Sequence, residues 1–291
     1  MTGRHYRARQ GPVPGLQGPP AAAVSEDVTV MEPTAFYLPV GNGRFESTLA
    51  TAGPWSAVAQ HGGPPSALIT RAFERLEPDP NQRLARLTVE ILRPVPVRPV
   101  TVIARILRPG RRVALLEGSL RVDGEDYLLA RAWRIGRPAT PTPVSGARAG
   151  SPALPGAAPP PAWEGAFTDG YMRAIEVRQT SGVFAGAGPG AAWMRARIAL
   201  VEGEEPSAFQ RAVIVADSGS GVSQGVDYRR WLAINVELTL SFHRDPVGEW
   251  IHLDSNTAVA AEGTGRTDTV LGDGEGEFGR AIQTLMVAPR T

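Results

Sequence analysis

Three polar side chains interrupt apolar segments in the second half of this sequence. Asp217 follows the apolar run 208–216, Asn235 heads the alternating segment 235–243, and Gln283 breaks the run 281–287. Singly, each has an ordinary reading: a carboxylate after a helix is commonly a turn residue, and an amide can face solvent. A buried amide, however, needs hydrogen-bond partners, so Gln283 must face either water or a polar site. A carboxylate and two amides brought together can hold and polarise one water, which is the equipment for hydrolysing an activated acyl group without a covalent intermediate. In that reading Asp217 is the base, and Asn235 and Gln283 assist it. His61, Gly62 and Gly63, just before another helical segment, are read as substrate-binding. Backbone N–H groups at a helix start favour developing negative charge, although two glycines also suit a tight turn.

Other patterns that could carry chemistry fail on context. Gly221-Val222-Ser223-Gln224-Gly225 fits G-x-S-x-G, with His243 and His252 downstream. A nucleophile elbow needs a strand before its serine and a helix after it, whereas here a helix precedes and a strand follows. A serine esterase using Ser223 is therefore the lesser alternative. The segment from Gly274 to Gly279 fits G-x-G-x-x-G but joins two strands, with 12 residues left after it, where a dinucleotide site requires a helix. His61, His243 and His252 lack zinc-site spacing, and Asp273, Glu275 and Glu277 read as a solvated turn with too few oxygen ligands for a hard cation. No metal and no cofactor are expected. Cysteine and lysine are both absent, which removes thiolate nucleophiles, disulfides, Schiff bases and P-loop lysines together.

The elements that must position these residues follow from periodicity. Ala208, Ala212, Val213, Val215 and Ala216 line one face of a helix that Pro206 opens and that Gly219 and Gly221 stop just beyond Asp217. Pro65 opens an earlier helix over 66–76. Residues 36–49 read as a hairpin about Gly41-Asn42-Gly43, and 100–107, 112–122 and 127–135 as strands divided by Pro109-Gly110 and Asp123-Gly124. Further strands are read at 175–179, 191–199, 233–243, 249–261, 266–271 and 279–287. A helix followed by several antiparallel strands thus occurs twice, and 87–95 aligns with 235–247. The fold class is α+β: two subdomains, each a sheet wrapped around a helix, each covering the other's apolar face. The boundaries are a disordered leader 1–33, a first subdomain 34–136, a linker 137–164 with eight prolines between 137 and 163, and a second subdomain 165–291 that holds the site.

Of 291 residues 42% are apolar, with no continuous apolar run of membrane-spanning length, so no membrane span is expected. Thirty basic against 29 acidic residues leave a net charge of +1, which gives nucleic acid no electrostatic footprint. Arg4, Arg7 and Arg9 are not followed by an apolar signal region, and the expected compartment is the cytoplasm.

Several motifs together resemble a family. They are Gly53-Pro54-Trp55-Ser56, Gln60-His61-Gly62-Gly63-Pro64-Pro65, Ala216-Asp217 followed by Gly219, Gly221 and Val222, Ile234-Asn235-Val236-Glu237-Leu238, Phe242-His243-Arg244 followed by Pro246, Gly248, Glu249 and Trp250, and the late Gln283. Over residues 34–288, apart from the linker, the chain resembles the acyl-CoA thioesterase II type of double-hotdog protein. The resemblance implies two hotdog subdomains and hydrolysis of acyl-CoA thioesters, as in fatty acid metabolism, by a water held between an Asp, a small polar residue and a Gln. Those positions fall on Asp217, Asn235 and Gln283. The family's middle residue is a Thr, and the Asn here alters the donors, which keeps a non-catalytic acyl-CoA-binding or acyl-thioester-binding protein as the alternative. A hotdog hydratase would need an Asp and a His on one loop, and 217–222 offers no His. In the first half the matching positions are Leu76 and Arg134, so one active site per chain is expected. Acyl-CoA is the expected partner; self-association into a homo-oligomer is left open.

Overall fold

The apolar faces of two helices need covering, and one continuous sheet, antiparallel except at one edge, supplies the cover. The structure, a computed structural model, describes residues 32–146, 150–159, 161 and 163–290; the leader, save its last two residues, lies outside them. The first half contains β1 (Ala35–Gly41), β2 (Arg44–Ser47), the small pair β3 (Ala52–Gly53) and β4 (Ser56–Gln60), α1 (Gly63–Arg75), β5 (Gln82–Ile91), β6 (Val100–Arg108), β7 (Val113–Val122) and β8 (Glu125–Gly136). The second contains α2 (Tyr171–Ala174), β9 (Ile175–Ser181), β10 (Gly190–Ala196), β11 (Ala199–Val201), α3 (Ala208–Ala216), α4 (Gly219–Val222), β12 (Trp231–Asn235), β13 (Glu237–Phe242), β14 (Ile251–Val259), β15 (Thr264–Asp273) and β16 (Gly276–Pro289).

The halves meet where β5 pairs antiparallel with β13, Thr88 opposite Thr239 and Leu87 opposite Leu240. Outward from that junction the order β5-β8-β7-β6-β2-β1 is mirrored by β13-β16-β15-β14-β10-β9. This is the double-hotdog arrangement that the resemblance implied, and residues 33–291 form one compact unit. The segments aligned as internal repeats are therefore strands lying side by side. A short crossover ties the halves again, since β11 pairs parallel with β1 at the far edge of the first half.

Burial explains the helices better than amphipathicity does. In α3, Ala212 to Ala216 are all fully buried, so the helix has no solvent face over its last turn and a half. Ser207, not Pro206, opens it: the Ser207 hydroxyl accepts from the Gln210 N–H at 3.1 Å. In α1, which starts at Gly63, Leu68, Ile69 and Phe73 have no exposed surface, worth about 1.5–3 kcal/mol each. Phe73 packs close against β7 because residue 118 is glycine, where an added Cβ would lie 3.0 Å from the ring. The hairpin turn 41–43 takes the left-handed backbone that Asn42 and Gly43 tolerate, with φ of 51° and 72°.

Two local expectations change. Gly219 does not end the second helical region but begins the one-turn α4. The segment read as a single strand over 233–243 breaks at Val236 into β12 and β13, because the Val236 N–H bonds Thr284 while its carbonyl accepts from the Ile91 N–H of β5. The break puts Asn235 at the end of a strand, not at its head.

Candidate active site

Asp217 occupies the C-cap of α3, a place where the helix dipole disfavours a carboxylate. The start of α1 offsets this. The two helices lie antiparallel, the start of α1 against the end of α3, so closely that a Cβ on Gly63 would lie 2.0 Å from the Ile214 carbonyl, and a Cβ on Gly62 would lie 2.8 Å from Asp217 Oδ2. Only glycines permit that approach, and it places the carboxylate at the positive end of α1. Pro64 and Pro65 carry no N–H, so the first-turn donors of α1 are few and lie at Gly62 and Gly63.

All six residues singled out in the sequence converge here. Asn235 Nδ2 donates to Asp217 Oδ1 at 2.8 Å, and Gln283 Nε2 donates to the same oxygen at 3.2 Å and to the Asp217 carbonyl at 3.0 Å. A carboxylate only accepts, which fixes the orientation of both amides. Gln283 Oε1 accepts from the Ser220 N–H at 3.0 Å, so this amide, 1% exposed, is fully engaged. Asn235 Nδ2 also reaches the Glu237 carbonyl at 3.3 Å. The amides therefore spend their donors on pinning Asp217 Oδ1, leaving Oδ2 as the oxygen with lone-pair capacity.

Oδ2 faces His61 Nδ1 at 3.2 Å, and the same nitrogen lies 3.1 Å from the Gly63 N–H. One ring nitrogen cannot donate to the first and accept from the second. Burial holds the His61 pKa below its usual value, against the smaller opposing pull of Asp217, so the ring is neutral at pH 7 and the contact is not an ion pair. Nδ1 accepts from the Gly63 N–H, which leaves the ring proton on Nε2. The ring is held by Tyr171, stacked on it at 3.7 Å and 6°.

Tyr171 is a residue that sequence reading missed. Its hydroxyl donates to the Ile214 carbonyl at 2.9 Å and lies 2.9 Å from Ser218 Oγ, so it bolts the His61 ring to the end of α3. Burial pushes its phenol pKa well above the ordinary range, and it stays protonated. No motif surrounds it, and its neighbours in sequence give no signal for the contact.

The matching place in the first half is built differently. Leu76 is the C-cap of α1, and Arg134 of β8 donates to the carbonyls of Phe73, Leu76 and Glu77. Where Gln283 bonds the Asp217 carboxylate, Arg134 caps helix carbonyls. Ser223 is also accounted for: it is fully buried and its hydroxyl accepts from the Thr257 N–H at 2.9 Å, while His252 lies against Thr180 at 3.1 Å. Asp273, the buried acid of the 273–277 turn, is held by Arg244 through 2.6 and 2.7 Å bonds. Among the described residues no group of three or more His, Asp or Glu is arranged to hold a metal ion, and no helix is long and apolar enough to cross a membrane.

Two family models match the sequence, the acyl-CoA thioesterase N-terminal domain over residues 51–135 and the acyl-CoA thioesterase C-terminal domain over residues 151–287. The chain belongs to the acyl-CoA thioesterase family. Solved structures agree on the fold of this family member. A protein of unknown function with a hot dog fold from Alicyclobacillus acidocaldarius is 18% identical with a TM-score of 0.67, covering 91% of this chain and 100% of its own. An acyl-CoA thioesterase II from Mycobacterium marinum is 15% identical with a TM-score of 0.59, over 88% and 95% of the two chains. A tesB protein of Mycobacterium avium subsp. paratuberculosis is 15% identical with a TM-score of 0.62, over 88% and 97%. No curated protein sequence matches this thioesterase-family chain.

Proposed function

We propose that the protein hydrolyses acyl-CoA or related acyl thioesters by direct attack of water. The observation that carries this reading is the division of labour at Asp217: Oδ1 is pinned by Asn235 and Gln283, while Oδ2 keeps capacity for one more hydrogen bond at the start of α1. A water on Oδ2 gives its proton to the carboxylate as its oxygen bonds the thioester carbonyl carbon. The negative charge that gathers on the carbonyl oxygen is met by the Gly62 N–H and by the α1 dipole. Collapse breaks the carbon–sulfur bond, and the thiolate leaves with the proton Asp217 has taken. His61, stacked on Tyr171, borders the carboxylate's second oxygen and takes no proton in this scheme.

Binding without turnover is the second reading, favoured by one observation: the Asp217 side chain is only 5% exposed, so a water must enter with or ahead of the substrate. An acyl-CoA panel assayed by release of free thiol separates the two. Turnover that disappears in Asp217→Asn supports hydrolysis, whereas tight binding of the same thioesters with no thiol release establishes the binding role.

A further inference from the structure

Resting on that hydrolytic reading, we infer that Trp231 and Trp55 close the acyl pocket and confine the substrate to short, uncharged acyl groups. The alternation of side chains along a strand sets the argument. Asn235, Ala233 and Trp231 project from the same face of β12, and Gln283 and Leu285 from the same face of β16, with Asn235 directly opposite Leu285. A row thus leads from the two amides at Asp217, past Ala233 and Leu285, to Trp231, about 13 Å along the strand.

A pocket lies on this row. Ser220, whose N–H bonds Gln283, lines it, as do Ala233, Leu285, Trp231 and Trp55 together with the uncharged polar Gln224, Tyr228 and Thr257. No charged side chain lines it, so a second carboxylate on the acyl group would be buried without a partner. Its volume is about 10 Å³, the space of one water. The two tryptophans are 37% and 39% exposed. Trp55 is not free to swing aside: it meets Trp163 edge-on at 5.2 Å and lies under the Arg290 guanidinium at 5.3 Å. Trp231 is tied by its backbone, which donates to Asp227 at 3.0 Å and lies opposite Pro289 of β16.

The test measures kcat/KM for acetyl-, butyryl-, hexanoyl-, dodecanoyl-, palmitoyl- and succinyl-CoA with the wild type, Trp231→Ala and Ala233→Leu. In the wild type, acetyl-CoA is preferred over palmitoyl-CoA by at least about tenfold, since a pocket with room for one water admits no long chain, and succinyl-CoA is poor. Trp231→Ala raises the dodecanoyl-to-butyryl ratio by at least about tenfold, and Ala233→Leu lowers the hexanoyl-to-acetyl ratio, each a methylene-scale change. Trp231→Leu repeats the first comparison should the alanine variant not fold. A wild type that prefers palmitoyl-CoA, or tryptophan variants that scale every acyl length alike, overturns the inference while leaving hydrolysis intact. If no thioester is turned over, the hydrolytic reading fails instead. The pocket is then judged by calorimetric binding of non-hydrolysable butyryl and palmitoyl thioether analogues of CoA, where tighter binding of the short one supports it and tighter binding of the long one refutes it.

Discussion

Asp217→Asn is the sharpest perturbation of the proposed chemistry, because the structure lets the fold and the reaction be separated. The substitution keeps the volume and keeps an oxygen where Asn235 and Gln283 donate at 2.8 and 3.2 Å. The new amide nitrogen faces His61 Nδ1, 3.2 Å away in the wild type and an acceptor. No buried group loses its partner. Two charge-assisted bonds become neutral ones, at about 1 kcal/mol each, and relief from burying a carboxylate offsets part of that. The expected net change is within about 2 kcal/mol, or a Tm shift of a few degrees for a chain of this size. The general base, by contrast, is gone, and kcat/KM for the best thioester falls about 10²- to 10⁴-fold. The assay is thiol release followed beside a thermal melt. Activity within threefold of wild type at unchanged Tm would refute Asp217 as the base.

Four further outcomes follow from named contacts. Gly62→Ala puts a Cβ 2.8 Å from Asp217 Oδ2, so it displaces the carboxylate and lowers kcat/KM more than about tenfold with only a modest loss of Tm; full activity in this variant would show that the approach of α1 is not needed. Arg134→Ala orphans three helix-end carbonyls, which costs roughly 2–4 kcal/mol in urea unfolding, with kcat of the folded fraction unaltered since Arg134 makes no bond to Asp217, Asn235 or Gln283. Ser223→Ala leaves Thr257 N–H without its acceptor and loses stability, yet retains thioester turnover, and fluorophosphonate fails to label Ser223; labelling with parallel loss of activity would return the serine mechanism. Acid lowers Tm through His61 and His252: burial, the larger cause in each, holds both pKa values down against Asp217 and Asp254, so the unfolded chain protonates first. Their contribution is whole above about pH 6.5 and fades as pH falls below it, so His61→Asn and His252→Asn each flatten the Tm decline from about pH 7 to pH 5.

What the sequence determined by itself was local or periodic. Alternation placed the strands, and apolar runs with proline and glycine punctuation placed α1 and α3. Polar residues at 217, 235 and 283 stood out because they break those patterns. The repeat of helix and strands gave the two-part α+β plan, since each half repeats one order of hydrophobic periodicities. The tertiary structure decided what no periodicity encodes. The bonds that define the site join residues 18 and 66 apart in sequence, and the Asp217–His61 contact crosses between the halves. Only the close crossing of α1 and α3 shows why glycine stands at 62 and 63, which carboxylate oxygen is pinned and which is free, and that Tyr171 clamps His61. The capping of α1 by Arg134 and the break at Val236 are decided the same way, by hydrogen bonds that distant strands must satisfy once they are packed together.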